Sequence, residues 1–384
     1  MLRNRLISRL HKIDWDFPGT LSESRFSAIH WHPARLPSQV AAACIGVLSE
    51  TGEIVLDPFL GSGTTSVEAQ RLDRVSIGFD INPTACKIAR AKTLQLSAKQ
   101  IGKIAVVLQE KAEELLQPLL YSTAKEPSIP PTVQRKWYTP RVLQHLGLLW
   151  DLVTSSKGPT QILAETAFSG ILLPVCRETR HWGYVCDNST PKGNHEGSPI
   201  HDFCRMLERM RRAYEERDQD RSVRDASARR LADATICCGD ARHLLAKIPD
   251  KSVDLVITSP PYFGVSDYVK SQRLSAEWFG IEIEPLRREE IGARSKRHRK
   301  TARTDYRKEL HQVFAQIHRC LKVDCACVII IGESAQRKSV VPSFIRDVRK
   351  IGFTEILQRK RRVSPQRRQR ASIETETVLV LSRD

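Results

Sequence analysis

The feature that most constrains the possible fold of this chain is a glycine-rich turn between an apolar run and a helix-forming segment. The apolar run Ile54-Val55-Leu56 leads into Asp57-Pro58-Phe59-Leu60-Gly61-Ser62-Gly63-Thr64-Thr65, and residues 64–72 have helix-forming composition. The sequence therefore predicts a strand, a turn and a helix start. Gly61 and Gly63 let the backbone approach a ligand without an intervening Cβ, and the free amides at a helix start favour an electron-rich group. The same turn would also serve as a plain strand-to-helix connection without a ligand.

A second strand is predicted directly after this helix. Residues 75–79 form an apolar run that ends in Asp80. Nucleotide-binding folds place an acidic residue at about this distance from the glycine turn, where it accepts hydrogen bonds from ribose hydroxyls. Asp80 is therefore the candidate ribose ligand.

A second motif follows another buried-strand pattern, at residues 253–257. The strand leads into Thr258-Ser259-Pro260-Pro261-Tyr262, and open α/β sheets bind ligands at the carboxyl ends of their strands. Two successive prolines remove two amide donors and leave carbonyl oxygens as unpaired acceptors. A rigid acceptor beside an aromatic ring suits the exocyclic amino group of a planar base. The alternative is a strand that ends in a Pro-Pro turn with a core tyrosine.

Together the two motifs resemble those of the amino-methyltransferases, which use S-adenosyl-L-methionine to methylate exocyclic nitrogens of DNA bases. The form Asp-Pro-Phe-x-Gly-Ser-Gly-Thr-Thr is typical of that family. Its catalytic tetrapeptide is Asp-Pro-Pro-Tyr in most adenine N6 enzymes and Ser-Pro-Pro-Tyr in most cytosine N4 enzymes, and this chain carries Ser259-Pro260-Pro261-Tyr262. The resemblance implies methyl transfer to cytosine N4 in double-stranded DNA by base flipping and direct in-line transfer, with a separate cognate restriction endonuclease as a possible partner.

The resemblance also implies roles for individual residues. His32-Pro33 resembles a segment that lies against the methionine part of the cofactor, and Cys238-Gly239-Asp240 resembles the element that contacts its adenine. The Ser259 hydroxyl and the Pro260 carbonyl are expected to bind the amino protons, while Tyr262 stacks on the base. The expected cofactor-binding residues are His32, Pro33, Asp57, Phe59, Gly61, Gly63, Thr64, Asp80 and Asp240, and the expected catalytic residues are Ser259, Pro260, Pro261 and Tyr262.

Three other functions remain open from the sequence. An adenine N6 enzyme acting on DNA would share the architecture, and so would an RNA base methyltransferase. A cofactor-binding nucleic-acid protein without activity is the third. Cytosine C5 chemistry is disfavoured, because its nucleophilic cysteine would follow a proline and Pro260 is followed by Pro261.

The charge balance indicates a polyanionic partner. The chain has 61 Lys and Arg against 44 Asp and Glu, a net charge of +17, which favours nucleic acid. A basic cluster lies between the catalytic strand and the next predicted strand, which covers residues 326–331. The cluster is expected to overhang the site and to contact phosphates. Its alternative is a solvated, mobile loop. The candidate DNA-binding residues are Arg294, Lys296, Arg297, Arg299, Lys300 and Arg303.

The last two predicted strands, at 353–357 and 375–381, have no helical segment between them, which predicts a hairpin. A second basic run, Arg359-Lys360-Arg361-Arg362 with Arg367, Arg368 and Arg370, is expected between these strands and is a further candidate for contact with the DNA backbone. The predicted fold is α/β, a Rossmann-like class I methyltransferase sheet that ends in an antiparallel hairpin and carries a mainly helical insertion. The predicted divisions are an N-terminal extension at 1–25, a cofactor-binding part of the catalytic core at 26–95, an insertion and candidate DNA-recognition region at 96–232, and a target-base part at 233–384 with a basic loop at 287–308.

Within the insertion, helical periodicity covers residues 101–120 and 142–153, and the mixed charges of residues 205–230 predict a solvated surface helix. Scattered Cys and His between 176 and 204 lack paired zinc-ligand spacing, so no metal is expected. Arg177, Arg180, His181, Trp182, Asp187, Asn188 and Lys192 form a polar and aromatic cluster that could read base edges. The chain has no long apolar stretch, an N-terminus without a signal pattern, and 10 unpatterned cysteines, which together predict an intracellular protein. The resemblance implies the cytoplasm of a bacterial or archaeal cell, in association with the nucleoid.

Overall fold

The computed structural model describes most of the chain. Its residues are 8, 10–11, 13–17, 24–30, 35–115, 126–178, 191, 193, 195–224, 231–332, 340–363 and 373–384. His32 and Pro33, and six of the seven residues in the polar and aromatic cluster, lie outside these ranges; Arg177 lies within them.

Seven strands form one sheet in the described part of the chain, in the order β3-β2-β1-β4-β5-β7-β6. Strands β3, β2, β1, β4 and β5 pair in parallel, whereas β7 is antiparallel to both β5 and β6. This mixed sheet with a terminal hairpin confirms the predicted fold class. The strands are β1 (Ile54–Asp57), β2 (Val75–Asp80), β3 (Ala234–Cys238), β4 (Val253–Thr258), β5 (Leu321–Gly332), β6 (Phe353–Arg362) and β7 (Thr375–Arg383).

Residues 359–362 of the second basic run do not lie between the last two strands, so that part of the expectation was wrong; Arg367, Arg368 and Arg370 lie outside the described residues. Residues 359–362 continue β6, because residues 375–378 of β7 supply backbone pairing partners for all four. The side chain of Arg361 is 4% exposed and forms an ion pair with Glu376. Arg361 is therefore a buried structural group, since almost none of its side chain reaches solvent.

Both faces of the sheet are covered, as alternating side chains along a strand require. On one face, Leu255 and Ile257 of β4 pack with Trp15 and the helix Ser38–Leu48. On the other face, Val256 packs in a cluster with the helix Ala302–Cys320. The central strands are thus held between two apolar layers, which fixes the positions of their carboxyl ends.

The helices between β2 and β3 share a third apolar cluster, centred on Trp137, Phe168, Phe203 and Tyr214. The last of these helices, Pro199–Arg224, buries Phe203, Leu207, Met210 and Tyr214 at spacings of three and four residues. The expectation of a solvated helix over 205–230 was therefore wrong, because an apolar stripe runs through its charged sequence.

The helices and short 3-10 turns frame this sheet. In the described ranges, no helix is long and apolar enough to cross a membrane. The helices are Ser38–Leu48, Thr64–Arg71, Pro83–Lys92, Ala98–Glu114, Pro140–Ser155, Gly158–Ile171, Pro199–Arg224, Ala241–Leu244, Tyr268–Ser271, Arg273–Trp278, Ile283–Glu289, Ala302–Cys320 and Val340–Ile351, and the 3-10 turns are Arg25–Ala28, Arg135–Trp137, Leu245–Lys247 and Arg294–Lys296.

Candidate active site

The glycine turn and the Pro-Pro motif meet because their strands are neighbours. Strands β1 and β4 pair in parallel, with Val55 opposite Leu255 and Leu56 opposite Val256. Parallel neighbours end at the same edge of the sheet, and the strand order changes direction between these two strands. That switch point is where open α/β sheets bind ligands.

The glycine turn has the backbone that its sequence predicts. Gly61 and Gly63 have φ values of 54° and 89°, in the left-handed region that glycine tolerates. A Cβ at Gly63 would lie 2.9 Å from the Cβ of Ala89, so the position has no room for a side chain. The helix begins at Thr64, directly after Gly63, and its free amides point to the same edge as the strand ends.

Asp80 ends β2 beside this turn. One carboxylate oxygen accepts a hydrogen bond from the Gly61 amide at 2.8 Å, and the other accepts one from the Asn82 amide at 2.8 Å. Burial raises the pKa of Asp80 to about 6. Each oxygen keeps a further lone pair, so the carboxylate can accept hydrogen bonds from a ligand while it holds the turn.

A cleft of about 930 Å³, part of it open to solvent, lies at this edge of the sheet. Its walls contain most of the expected residues, together with apolar groups and a second set of acids. The lining residues that matter here are Leu36, Asp57, Phe59, Gly61, Ser62, Thr64, Asp80, Ile81, Asp240, Ser259, Pro260, Pro261, Tyr262, Tyr268, Glu289 and Glu290.

The cleft fits S-adenosyl-L-methionine. The buried Ser62 hydroxyl at the glycine turn has no hydrogen-bond partner among the described residues, and a buried polar group without a partner is uncommon unless a ligand supplies one. Apolar walls at Phe59 and Ile81 suit a flat adenine ring, while the acids suit a cationic sulfonium and an amino group.

Asp57 joins the two motifs from inside the protein. One of its oxygens accepts hydrogen bonds from the Phe59 amide at 3.1 Å and the Thr258 hydroxyl at 2.7 Å, and the other accepts one from the Thr65 hydroxyl at 2.7 Å. Burial raises its pKa to about 6, against the opposing effect of these hydrogen bonds. Although Asp57 lines the cleft, its contacts with the protein show that it also braces the two motifs.

Asp240 has a partner in the protein. The guanidinium of Arg242 contacts both carboxylate oxygens, and the Arg242 amide donates to Oδ1 at 2.8 Å. Burial acts to raise the pKa of Asp240, but the hydrogen bonds and charge of Arg242 outweigh it and hold this pKa below its usual value. An adenine amino group would therefore share this carboxylate with Arg242.

The Pro-Pro motif follows β4, and its polar groups differ in their hydrogen-bond partners. Ser259 lies half-buried in the cleft wall, and no described residue donates a hydrogen bond to the Pro260 carbonyl oxygen. The Pro261 carbonyl oxygen accepts a hydrogen bond from the Tyr306 hydroxyl at 2.9 Å. Of the two proline carbonyl oxygens, only that of Pro261 therefore has a donor among the described residues.

The Tyr262 ring is held firmly and is only 4% exposed. A Cβ built on Gly332, at the end of β5, would lie 2.5 Å from this ring, so the ring packs directly on the Gly332 backbone. The ring also contributes to the cleft wall. A base in the cleft could therefore meet only the limited part of the ring that faces it.

Tyr268 and Glu290 line the same cleft, although nothing in their local sequence singled them out. Tyr268 Oη accepts a hydrogen bond from the Tyr262 amide at 3.2 Å, and Glu290 accepts one from the Tyr268 amide at 2.6 Å and one from the Val269 amide at 3.3 Å. Burial raises the pKa of Glu290 to about 8. These two residues hold the segment after the tetrapeptide against the cleft.

The basic cluster follows the acidic wall of the cleft, but it is not one continuous loop. Residues 283–289 and 294–296 are helical turns, and Arg303 lies on the helix that begins at Ala302. Lys296 donates to the carbonyls of Arg288 at 2.6 Å and Glu290 at 2.8 Å, so it ties the wall together. Arg294 and Arg297 are half-buried, whereas Arg299, Lys300 and Arg303 are exposed.

The scattered Cys and His residues of the insertion are only partly described. Cys176, His195, His201 and Cys204 are in the described ranges, whereas His181 and Cys186 are outside them. In the part of the chain that the structure describes, no three or more His, Cys, Asp or Glu side chains are grouped to hold a metal ion.

Known proteins resemble this chain in sequence. Residues 7–91 match the family model N6_N4_Mtase, described as DNA methylase. The Type II methyltransferase M.MjaII of Methanocaldococcus jannaschii is 25% identical over 417 aligned residues, covering 84% of this chain and 76% of that protein. The Type II methyltransferase M.ScaI of Streptomyces caespitosus is 40% identical over 77 residues, covering 20% of this chain and 25% of that protein.

Solved structures also align with this chain, with TM-scores below 0.5. The rRNA methyltransferase aviRa of Streptomyces viridochromogenes aligns over 94% of this chain and 93% of its own, with 11% identity and a TM-score of 0.41. A putative DNA modification methylase of Thermus thermophilus, solved with S-adenosyl-L-methionine, covers 38% of this chain and 53% of its own, with 19% identity and a TM-score of 0.25. The matched family model, the strand order and the cleft at the switch point together support a DNA methyltransferase that uses S-adenosyl-L-methionine.

Proposed function

We propose that this chain methylates the N4 amino group of cytosine in double-stranded DNA. The observation that carries the proposal is the placement of Ser259 and the Pro260 carbonyl in one wall of the cleft, beside the glycine turn. The two groups offer oxygen atoms to the two protons of one exocyclic amino group. The serine in the first position of the tetrapeptide resembles cytosine N4 enzymes and favours that base over adenine.

The proposed roles follow from the chemistry of an aromatic amino group. Its lone pair is delocalised into the ring, so the nitrogen attacks well only when the site stops this conjugation. Hydrogen bonds from the two N–H groups to Ser259 and Pro260 orient the lone pair toward the methyl donor, and positioning supplies most of the acceleration. The bound cofactor supplies an activated methyl group on a sulfonium.

The cofactor-binding roles are part of the same proposal. Asp80 holds the ribose hydroxyls, the turn from Gly61 to Thr64 lies against the amino-acid part, and Asp240 receives the adenine amino group beside Arg242. Asp57 and Phe59 shape the turn, and contact of His32 and Pro33 with the methionine part stays a prediction. The four-part division of the chain, with residues 96–232 as the candidate recognition region, likewise stays a proposal.

The target base must leave the duplex, because a stacked base cannot enter a cleft at the edge of a sheet. We assign the phosphate contacts that hold the duplex to the exposed Arg299, Lys300 and Arg303, with support from Arg294 and Arg297. Lys296 contributes by fixing the segment. A restriction endonuclease with the same recognition sequence is the proposed separate partner.

Nucleoside mass spectrometry tests the proposal. DNA from cells that express the chain is compared with DNA from cells that express Ser259→Ala. N4-methylcytosine that depends on Ser259 is the expected result. N6-methyladenine would move the target to adenine, and the absence of both marks would overturn the proposal and direct the search to RNA.

A further inference from the structure

A hydrogen-bond chain runs from the tetrapeptide into the terminal hairpin. Ser259 Oγ lies 3.3 Å from Tyr262 Oη, and Tyr262 Oη lies 2.8 Å from Glu376 Oε1 on β7. The other oxygen of Glu376 forms an ion pair with Arg361 of β6. Arg361 in turn donates from Nε to the Trp15 carbonyl at 3.0 Å. Four side chains from three segments therefore form one connected set.

Chemistry fixes the direction of this chain. An ionised carboxylate only accepts hydrogen bonds, and a guanidinium only donates them. With Arg361 on one oxygen of Glu376, the tyrosine must donate its single proton to the other oxygen. The Tyr262 oxygen is then an acceptor, so the Ser259 hydroxyl donates to it.

This direction decides what Ser259 offers to a ligand. With its proton directed at Tyr262, Ser259 Oγ presents only lone pairs to the cleft, and a lone pair can accept an amino proton. In the opposite direction, Ser259 would present its proton to the cleft. That proton could then bind the nitrogen lone pair, which must be free to receive the methyl group.

We propose that Glu376, oriented by Arg361, is a positioning residue that makes Ser259 Oγ a hydrogen-bond acceptor for the target amino group. The inference rests on the proposed function, since it concerns how that same site holds its base. Glu376 does not touch the substrate; it acts through Tyr262. The side chains of Arg361 and Glu376 are 4% and 14% exposed, so little water competes for the ion pair that holds the carboxylate in place.

Glu376→Gln in the full-length protein tests the proposal. A glutamine has nearly the same shape, but its carbonyl can accept from Arg361 while its amide donates to Tyr262 Oη, which reverses the chain. We expect kcat to fall by a factor on the order of 100, the scale for losing one oriented hydrogen bond in an active site. The KM values for S-adenosyl-L-methionine and for DNA should stay within about twofold, because Glu376 is not among the residues that line the cleft and is not one of the proposed phosphate contacts.

Tyr262→Phe supplies the second variant, because it removes the hydroxyl and keeps the ring. In a double-mutant cycle, Glu376→Gln should cause little further loss of kcat in the Tyr262→Phe background, since the chain is already broken. Additive losses, or a loss confined to KM, would show a general structural role and overturn the inference. If Glu376→Gln does not fold, Tyr262→Phe alone decides, and an unchanged kcat would overturn the inference.

Different results would contradict the proposed function and the role of Glu376. Wild-type protein that transfers no methyl group to DNA would contradict the function itself. Active wild-type protein, an inactive Ser259→Ala variant and a fully active Glu376→Gln variant would leave the function standing and remove only the role of Glu376.

Discussion

Asp57 Oδ1 accepts a hydrogen bond of 2.7 Å from the hydroxyl of Thr258, a residue 201 positions later in the chain. Its other oxygen accepts one of 2.7 Å from Thr65, on the helix after the glycine turn. Thr258 directly precedes Ser259. The carboxylate therefore sets the spacing between the turn proposed to hold the cofactor and the tetrapeptide proposed to hold the base.

We expect Asp57→Asn to weaken this brace. An amide has one acceptor oxygen, so at least one buried threonine hydroxyl loses its hydrogen-bond acceptor, at a cost of about 1–3 kcal/mol in the free energy of unfolding. Urea denaturation measures this loss, and kcat should fall with it. Asp254→Asn is the matched control: Asp254 is also buried, but it pairs with the Ile54 amide and Lys322 at the opposite edge of the sheet. Its loss should affect stability and leave kcat unchanged, and equal kcat losses in both variants would contradict the role of the brace.

Cofactor affinity should depend on the ionisation of Asp80. Burial raises the pKa of Asp80 from 3.8 to about 6, so without ligand its ionisation lowers stability as pH rises through this interval. A cationic ligand favours the ionised form, and the dissociation constant should fall roughly tenfold between one pH unit below 6 and neutral pH. Calorimetric titration at several pH values measures this. Asp80→Asn should bind weakly, with a flatter pH profile, and an unchanged profile would reassign the titration to another group.

Substitutions of Asp80 and Tyr262 should affect different steps, the first cofactor binding and the second methyl transfer. Asp80→Ala is expected to raise the dissociation constant of S-adenosyl-L-methionine, because it removes both the proposed ribose acceptor and the acceptor of the Gly61 amide. Tyr262→Ala should reduce methyl transfer and leave cofactor binding largely intact. Equilibrium binding and single-turnover transfer, measured on the same preparations, test both expectations. The reverse pattern would overturn the two assignments.

Gly332→Ala should disturb the Tyr262 ring. The added methyl would lie 2.5 Å from the ring, a contact that real structures do not show, so we expect a loss of about 1–3 kcal/mol in unfolding free energy and reduced transfer. Gly46→Ala is the control, because it lies in the helix Ser38–Leu48 and its Cβ would meet nothing within 4 Å. That variant should be neutral or slightly more stable. Thermal unfolding and kcat distinguish the two; a harmless Gly332→Ala would mean that the ring can move.

The exposed basic residues should control salt-dependent binding. Replacing Arg299, Lys300 and Arg303 with alanine should reduce the slope of log K against log salt by about 0.9 for each phosphate that is no longer neutralised, at similar cost for all DNA sequences. Fluorescence anisotropy over a salt series measures this slope. Lys247→Ala is the control, since Lys247 is exposed and precedes β4 at the opposite edge of the sheet. Equal slopes for the triple variant and wild type would remove the cluster from the interface.

Local sequence patterns predicted the backbone of the glycine turn and of the Pro-Pro motif. The left-handed φ values at Gly61 and Gly63 and a Pro260 carbonyl without a donor among the described residues could be anticipated, because each depends on a few adjacent residues. The partners of Asp240 and Tyr262 could not. Arg242 is close to Asp240 in sequence, but it also forms an ion pair with Glu309. Glu376 is 114 positions from Tyr262. The Tyr262–Glu376 pair follows from strand order, which residue spacing does not encode. The helix Pro199–Arg224 was misjudged because its many charges mask an apolar stripe.

The hydrogen bond from Tyr262 to Glu376 determines when, during synthesis of the chain, the proposed site becomes complete. Strand β7, which carries Glu376, is inserted between β5 and β6 and pairs with both. A ribosome-bound chain that has released the glycine turn and the tetrapeptide, but not β7, lacks the acceptor for the Tyr262 proton. The proposed methylating site is therefore incomplete on a chain that ends before β7, and it is completed only when β7 enters the sheet.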